Sequence, residues 1–144
     1  MRRNPEHGVR IALDAMGGDN APSELVLGAI EAARMGGVAI LLVGDQTQLE
    51  EEMSRHSAQG LPIAIVPSEG VIRENESPVQ ALRQKPKASV AVATGLVKQG
   101  KADGCVSMGS TGAMVAAATF LLGPMKGLER PALGGPIIGL APKT

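Results

Sequence analysis

The chain has 144 residues, of which 44% are apolar, and this is enough for one compact core, so we expect a single α/β domain over residues 1–144. Phe120 is the only aromatic residue, which argues against the nucleic-acid modules that stack bases on aromatic side chains. The 14 basic residues balance the 14 acidic ones, so no net charge attracts polyanions and no nucleic-acid partner is expected.

The predicted elements alternate between strands and helices in chain order. Strands are predicted at residues 9–13, 38–43, 61–66 and 103–107, and helices at residues 24–35, 46–56, 77–85, 89–98 and 111–122. Ile137 and Ile138 hint at one more strand beyond the loop that begins at Gly123. Asp45 and Ser77 are predicted N-caps, and Gly100 is a predicted C-cap. The alternation predicts an α/β fold with a parallel sheet and helices on both faces.

Two glycine-rich turns follow two of these strands. The segment "DAMGGD" contains Gly17 and Gly18, and the segment "SMGSTGA" contains Gly109 and Gly112. The carboxyl ends of parallel strands meet at one edge of the sheet, where ligands bind, so the two turns are predicted to share a crevice. No G-x-G-x-x-G or P-loop pattern is present, which argues against a nucleotide.

The second turn opens a helix and is rich in hydroxyl groups. Helix N-terminal N–H groups, together with the hydroxyls of Ser107, Ser110 and Thr111, predict a site for an anion. An ordinary strand-to-helix turn with hydroxyl caps explains the same residues equally well.

Charged residues near the turns have two interpretations each. Asp14 and Asp19 flank the first turn, where a carboxylate repels an anion unless it orients a donor or a cation; alternatively, Asp19 caps the following helix together with Asn20. The basic side chains between residues 83 and 87 are predicted either to contact phosphate or an acidic partner protein, or to form a solvated face; they are Arg83, Lys85 and Lys87.

Cys105 is the only cysteine, which excludes an internal disulfide and a cysteine-rich zinc site. It lies within a strand without a basic neighbour in sequence, so we predict a buried filler with a raised pKa rather than a nucleophile. His7 and His56 lack metal-ligand spacing and are predicted at the surface. Without a signal peptide or a long apolar segment, the chain is predicted to be cytoplasmic.

Three segments carry a family resemblance over nearly the whole chain: "IALDAMGGDNAP", "SPVQALRQKPKASVAVATGLVKQGKADGCVSMGSTGA" and "RPAL". They resemble the N-terminal portion of the phosphate acyltransferases of bacterial phospholipid synthesis, also called acyl-ACP:phosphate acyltransferases. Ser110 stands where that family usually has Asn in its SxGNTGA motif, and the closing "GGPIIGLAPKT" matches less well. The family is longer than this chain, so an inactive fragment is one expectation.

The resemblance implies a three-layer α/β/α fold like that of isocitrate and isopropylmalate dehydrogenases. It implies transfer of a fatty acyl group from acyl carrier protein to inorganic phosphate without a metal or cofactor, and for the full-length family a homodimer with peripheral membrane contact. On this basis the candidate catalytic residues are Ser107, Ser110 and Thr111, and the candidate substrate-binding residues are Asp14, Gly17, Gly18, Asp19, Gly109, Gly112, Arg83 and Lys85. The alternatives are a truncated, non-catalytic phosphate-binding or subunit-pairing domain, and a metal-dependent decarboxylating dehydrogenase.

Overall fold

The structure is a computed structural model that describes residues 8–132 and 134. His7 and the predicted strand at Ile137 and Ile138 lie outside the described residues. The described elements are, in chain order, β1 (Val9–Asp14), α1 (Ser23–Met35), β2 (Val38–Gly44), α2 (Gln46–Ser54), β3 (Ile63–Pro67), α3 (Pro78–Gln84), α4 (Ser89–Lys98), β4 (Gly104–Ser107), α5 (Thr111–Ala117) and a π-helix (Ala118–Leu122).

The four described strands form a parallel sheet in the order β3-β2-β1-β4. The chain builds outward from β1 through β2 to β3 and then crosses back to place β4 on the other side of β1. The direction of winding therefore reverses between β1 and β4, at whose carboxyl ends Asp14 and Ser107 are register partners. A crevice outside the strand ends at such a switch point is where open α/β sheets bind ligands.

Helices cover both faces of the sheet. On one face, Leu42 of β2 packs in a buried cluster with Ile30 of α1 and Leu49 of α2. On the other face, Val43 packs with Ala93 of α4, because successive strand residues point to opposite sides. The predicted α/β fold with a parallel sheet and helices on both faces is confirmed.

A third buried cluster lies beside the sheet and joins α3, α4 and α5. Its members are small or branched apolar residues, namely Ile72, Ala81, Ala88, Val90, Ala113 and Ala117. Alanine side chains let the helix backbones approach closely. Ile72 comes from the loop between β3 and α3, so this cluster fixes that loop beside the start of α5.

Several predicted boundaries differ from the structure for identifiable reasons. The α1 N-cap is Pro22 with no side-chain cap hydrogen bond, so the predicted capping of this helix by Asp19 or Asn20 is wrong. The predicted strand at residues 61–66 begins two residues late, because Pro62 has no N–H to donate to the ladder. Gly100 has a positive φ of 70° and lies one residue beyond the α4 C-cap, which is Gln99.

Two predicted helices end earlier than expected. After Ser54 the amides of Arg55 and His56 bond to carbonyls three residues back, so α2 closes with a tighter turn. The predicted helix at residues 111–122 becomes a π-helix after Ala117. The N-cap prediction at Asp45 is confirmed, because its carboxylate accepts from the Gln48 amide at 2.9 Å.

No helix among residues 8–132 has both the length and the apolar character needed to cross a bilayer.

Candidate functional site

Asp14 is a buried carboxylate at the carboxyl end of β1. Its side chain is only 2% exposed, and its Oδ1 accepts from the backbone amide of Met16 at 3.2 Å. The other oxygen, Oδ2, accepts from the hydroxyl of Ser107 at 2.8 Å. Both oxygens therefore accept hydrogen bonds within the protein, and Asp14 holds the turn that follows it.

Ser107 joins the two glycine turns. Its hydroxyl donates to Asp14, and its oxygen accepts from the backbone amide of Gly109 at 3.2 Å. A hydroxyl has one proton, and here that proton is directed at Asp14. Ser107 thus connects the two turns beneath the cavity, and its catalytic role stays a prediction.

The two glycine turns touch one another. A β-carbon at Gly17 would lie 2.8 Å from Asp14 Oδ2 and 2.9 Å from the Gly109 nitrogen, distances that no real side chain tolerates. A β-carbon at Gly109 would lie 3.1 Å from the Cα of Gly17. Gly18 has a φ of 108°, a conformation that favours glycine. The shared crevice predicted from the sheet edge is therefore present, and glycine is needed for the close approach.

A cavity of about 380 Å³ opens above these turns. Three segments line it, contributing Met16, Gly17, Gly18, Asp19, Val71, Ile72, Arg73, Glu74, Met108, Gly109 and Ser110. A second pocket of only about 10 Å³ lies below, where Asp14 and Ser107 meet Ala113. Of the predicted residues, Gly17, Gly18, Asp19, Gly109 and Ser110 line the larger cavity.

The residues that follow Ser110 do not line the cavity. Ser110 Oγ accepts from the Ala113 amide at 3.3 Å and so caps α5 while also lining the cavity. Thr111 is exposed and lines neither of these two pockets. A β-carbon at Gly112 would lie 3.0 Å from Pro78 Cγ, so this glycine allows α3 to pack against α5. Thr111, predicted to be catalytic, and Gly112, predicted to bind substrate, therefore lie outside the lining of the cavity, and their roles stay predictions.

The three basic side chains predicted near the site have different surroundings in the structure; they are Arg83, Lys85 and Lys87. Arg83 lines a separate, mostly apolar groove of about 480 Å³ with Leu82 and Phe120. The Lys85 ammonium donates to the Glu76 carboxylate and to the Val71 carbonyl. Lys87, in turn, pairs with Glu69 at 2.8 Å. These three side chains are not gathered at the cavity above the glycine turns, and substrate contact by Arg83 or Lys85 stays a prediction.

Arg73 is the one basic residue in the described lining of the cavity, and the sequence reasoning missed it. It lies in the loop after β3 and lines the cavity beside the glycine turns. The rule that placed those turns at the carboxyl edge of the sheet applies to the β3 loop as well. The polar run "SEGVIRENES" in that loop was the available signal.

Among residues 8–132, Glu76 and Cys105 have shifted pKa values. The pKa of Glu76 lies below its ordinary value, chiefly because its carboxylate accepts from the Arg73 backbone amide and then because Lys85 donates to it. Burial raises the pKa of the Cys105 thiol to about 11. A hydrogen bond with Thr94 acts in the opposite direction and lowers the pKa, whereas the nearby Asp14 raises it further. Cys105 is therefore protonated at neutral pH. His56, predicted at the surface, is only partly exposed and approaches Glu52 at 3.4 Å.

Within residues 8–132, no group of three or more His, Cys, Asp or Glu side chains is arranged to hold a metal ion.

A parallel sheet with two touching glycine turns at its switch point defines an α/β protein with a crevice between the ends of β1 and β4. Residues 9–137 match the family model described as "Fatty acid synthesis protein", and the chain belongs to this family.

Curated relatives and one solved structure resemble the chain. Phosphate acyltransferase from Acaryochloris marina is 52% identical over 126 residues, covering 88% of this chain and 36% of the relative. Phosphate acyltransferase from Desulforamulus reducens is 51% identical over 125 residues, covering 87% of this chain and 37% of the relative. The chain thus spans little more than a third of these relatives. EutD phosphotransacetylase from Staphylococcus aureus has 22% identity and a TM-score of 0.56 over 85% of this chain and 40% of its own, which shows a shared fold.

Proposed function

We propose that residues 1–144 form one α/β domain of a cytoplasmic enzyme that transfers a fatty acyl group from acyl carrier protein to inorganic phosphate. The product is an acyl phosphate for phospholipid synthesis. Relatives named phosphate acyltransferase, about half identical over most of this chain, support the reaction. The observation that carries the proposal is the cavity above the touching glycine turns, lined by backbone groups of Gly17, Gly18 and Gly109 and by the hydroxyl of Ser110.

In this reaction a phosphate oxygen attacks the thioester carbonyl carbon, the new carbon–oxygen bond forms, and the carrier's sulfur leaves as a thiolate. The protein has to hold phosphate in line with the carbonyl and to stabilise the oxyanion of the tetrahedral intermediate. Phosphate is itself the nucleophile, so no acyl-enzyme is needed. The protonated, half-buried Cys105 is consistent with direct attack.

Asp14 and Ser107 act as positioning residues in this proposal. Their hydrogen bond fixes the ends of β1 and β4, from which both glycine turns depart. Small displacements of positioning groups reduce rates strongly, because the reacting atoms must be held close and aligned. Asp14 can therefore matter for turnover without contacting phosphate.

The remaining implications of the resemblance are also proposals. We propose that the wider fold follows isocitrate and isopropylmalate dehydrogenases, and that the longer family protein is a homodimer with peripheral membrane contact. The acyl carrier protein is the proposed protein partner.

Hydroxylamine trapping tests the proposal, because hydroxylamine converts an acyl phosphate into a hydroxamate. Acyl carrier protein bearing a fatty acyl group is incubated with phosphate and either the 144-residue chain or the chain extended to the length of its relatives. Phosphate-dependent hydroxamate formation by the extended chain is expected, with omission of phosphate as the control. Phosphate binding without product in both would indicate a non-catalytic domain, and hydride transfer on adding a nicotinamide cofactor would indicate a dehydrogenase; either result would overturn the proposal.

A further inference from the structure

We propose that Arg73 is a phosphate-contacting residue of the cavity and that Glu76 and Lys85 position the loop that carries it. This inference rests on the proposed function, since it assigns a cationic partner to the phosphate of that reaction.

Arg73 supplies the positive charge that the glycine turns lack. It is the one cationic side chain among the described residues that line the cavity, whereas Asp19 and Glu74 contribute carboxylates to the same lining. Those carboxylates repel phosphate, so phosphate is placed in this proposal beside Arg73 and the glycine turns, away from Asp19 and Glu74. A guanidinium presents parallel N–H donors that match two phosphate oxygens.

The loop that carries Arg73 is held from both of its ends by one lysine. The Lys85 ammonium donates to the Val71 carbonyl at 3.1 Å and to the two Glu76 oxygens at 2.7 and 2.8 Å. Glu76 in turn accepts from the backbone amide of Arg73 at 2.8 Å. Ile72, 4% exposed, is buried in the cluster with α5. The backbone of Arg73 is therefore fixed on both sides, while its side chain is exposed.

A neighbouring ion pair provides a matched comparison. Lys87 pairs with Glu69 at 2.8 Å, but these side chains are 68% and 74% exposed, against 37% and 27% for Lys85 and Glu76. The chain near Glu69 is also held by backbone bonds, from its amide to the Lys87 carbonyl and from the Ser89 amide to the Gly70 carbonyl. Removing the Lys87 ammonium should thus leave the Arg73 loop in place.

The experiment titrates inorganic phosphate into the 144-residue chain and follows binding by phosphorus NMR line width. Arg73→Ala should raise the phosphate Kd about tenfold or more, the loss expected for hydrogen bonds to a charged group. Arg73→Lys should recover part of the affinity because the charge remains. Glu74→Gln, which removes a negative charge from the same loop, should lower the Kd.

The positioning role of Lys85 and Glu76 is tested by hydrogen exchange at the Arg73 amide together with the phosphate Kd. Lys85→Met and Glu76→Gln should each raise the phosphate Kd and also speed hydrogen exchange at the Arg73 amide, whereas Lys87→Met should change neither. If Lys85→Met fails to fold, Glu76→Gln carries the same test. Unchanged exchange and unchanged Kd in Glu76→Gln would refute the positioning role.

The outcomes separate this inference from the proposed function. If the parent chain binds phosphate and Ser110→Ala weakens binding while Arg73→Ala has no effect, the assignment of Arg73 is wrong and the phosphate site stands. If the parent chain does not bind phosphate at all, the site itself is wrong.

Discussion

Asp14 and Ser107 are register partners at the last positions of β1 and β4, and the Ser107 hydroxyl donates to the Asp14 carboxylate across 2.8 Å. The same serine oxygen accepts from the Gly109 amide, and the same carboxylate accepts from the Met16 amide. One pair of side chains thus connects both glycine turns. These hydrogen bonds fix the two glycine turns relative to each other at the base of the crevice.

Replacing Asp14 should destabilise the protein. Asp14→Ala leaves the Ser107 hydroxyl and the Met16 amide without their acceptor, and we expect the free energy of unfolding to fall by about 2 kcal/mol. Urea denaturation followed by circular dichroism measures the change. Asp19→Ala, at an exposed position in the same turn, should cost less than about 0.5 kcal/mol. Equal losses in the two variants would contradict the structural role of Asp14.

A methyl group at Gly17 should disrupt the contact between the turns. The β-carbon of Gly17→Ala would meet Asp14 and Gly109 at less than 3 Å, so the turns must separate, and both stability and phosphate affinity should fall. Gly28→Ala is the matched control, since its β-carbon, in the middle of α1, would meet no atom within 4 Å outside its chain neighbours and the backbone of its own helix. Replacing a glycine by alanine in a helix interior should increase the free energy of unfolding by about 0.5–1 kcal/mol. A neutral Gly17→Ala would show that the close approach is not required.

The sequence allowed the crevice and several of its lining residues to be predicted, but not the hydrogen bonds that hold it together. Strand and helix periodicity gave a parallel sheet, and the carboxyl-edge rule then brought Gly17 and Gly109 together. The bond between Asp14 and Ser107 depends on the register of β1 against β4, and the periodicity of either strand leaves that register open.

Lys85 shows a second limit of the sequence reasoning. A basic run beside a predicted phosphate site suggested direct contact, yet Lys85 meets Glu76 from a loop nine residues earlier. A run of basic residues in the sequence shows where positive charge is concentrated along the chain. It does not show which acidic side chain each residue pairs with, because that depends on tertiary structure. Arg73 was missed for a related reason, since the polar run after β3 is visible in the sequence but its place beside the glycine turns depends on tertiary structure.

Cys105 should be slow to alkylate in the folded protein. Its pKa of about 11, raised from the ordinary value of 9.0, lowers the thiolate fraction at pH 8 about a hundredfold, so iodoacetamide should react correspondingly more slowly than in urea. Mass spectrometry of quenched samples measures both rates. Cys105→Ala in the family-length chain should also retain most acyl-phosphate formation. Fast labelling of the native thiol, or loss of turnover in a folded Cys105→Ala variant, would favour a covalent route.

The Arg73 loop should loosen in acid. The pKa of Glu76 is lower in the folded chain than its ordinary value of 4.5, because the Arg73 amide and Lys85 favour the carboxylate. The stabilisation is therefore complete above pH 4.5 and is lost as the pH falls through the lower, folded pKa. Hydrogen-exchange protection of the Arg73 amide, corrected for intrinsic rates, should drop over this acidic range. In Glu76→Gln the protection should be lower throughout and independent of pH, and a parallel drop in that variant would exclude Glu76 as the cause.

The most direct measurement of the phosphate site is the proton–nitrogen correlation spectrum of the chain during titration with inorganic phosphate, with chloride at equal ionic strength as the control. The account predicts that the amide signals of Gly17, Gly18, Gly109 and Ser110 shift together along one binding curve. The signals of Gly28 and Gly95, which lie in α1 and α4, should not move. Shifts confined to the groove around Arg83, or no phosphate-specific shifts at the two turns, would contradict the assignment of this crevice as the phosphate site.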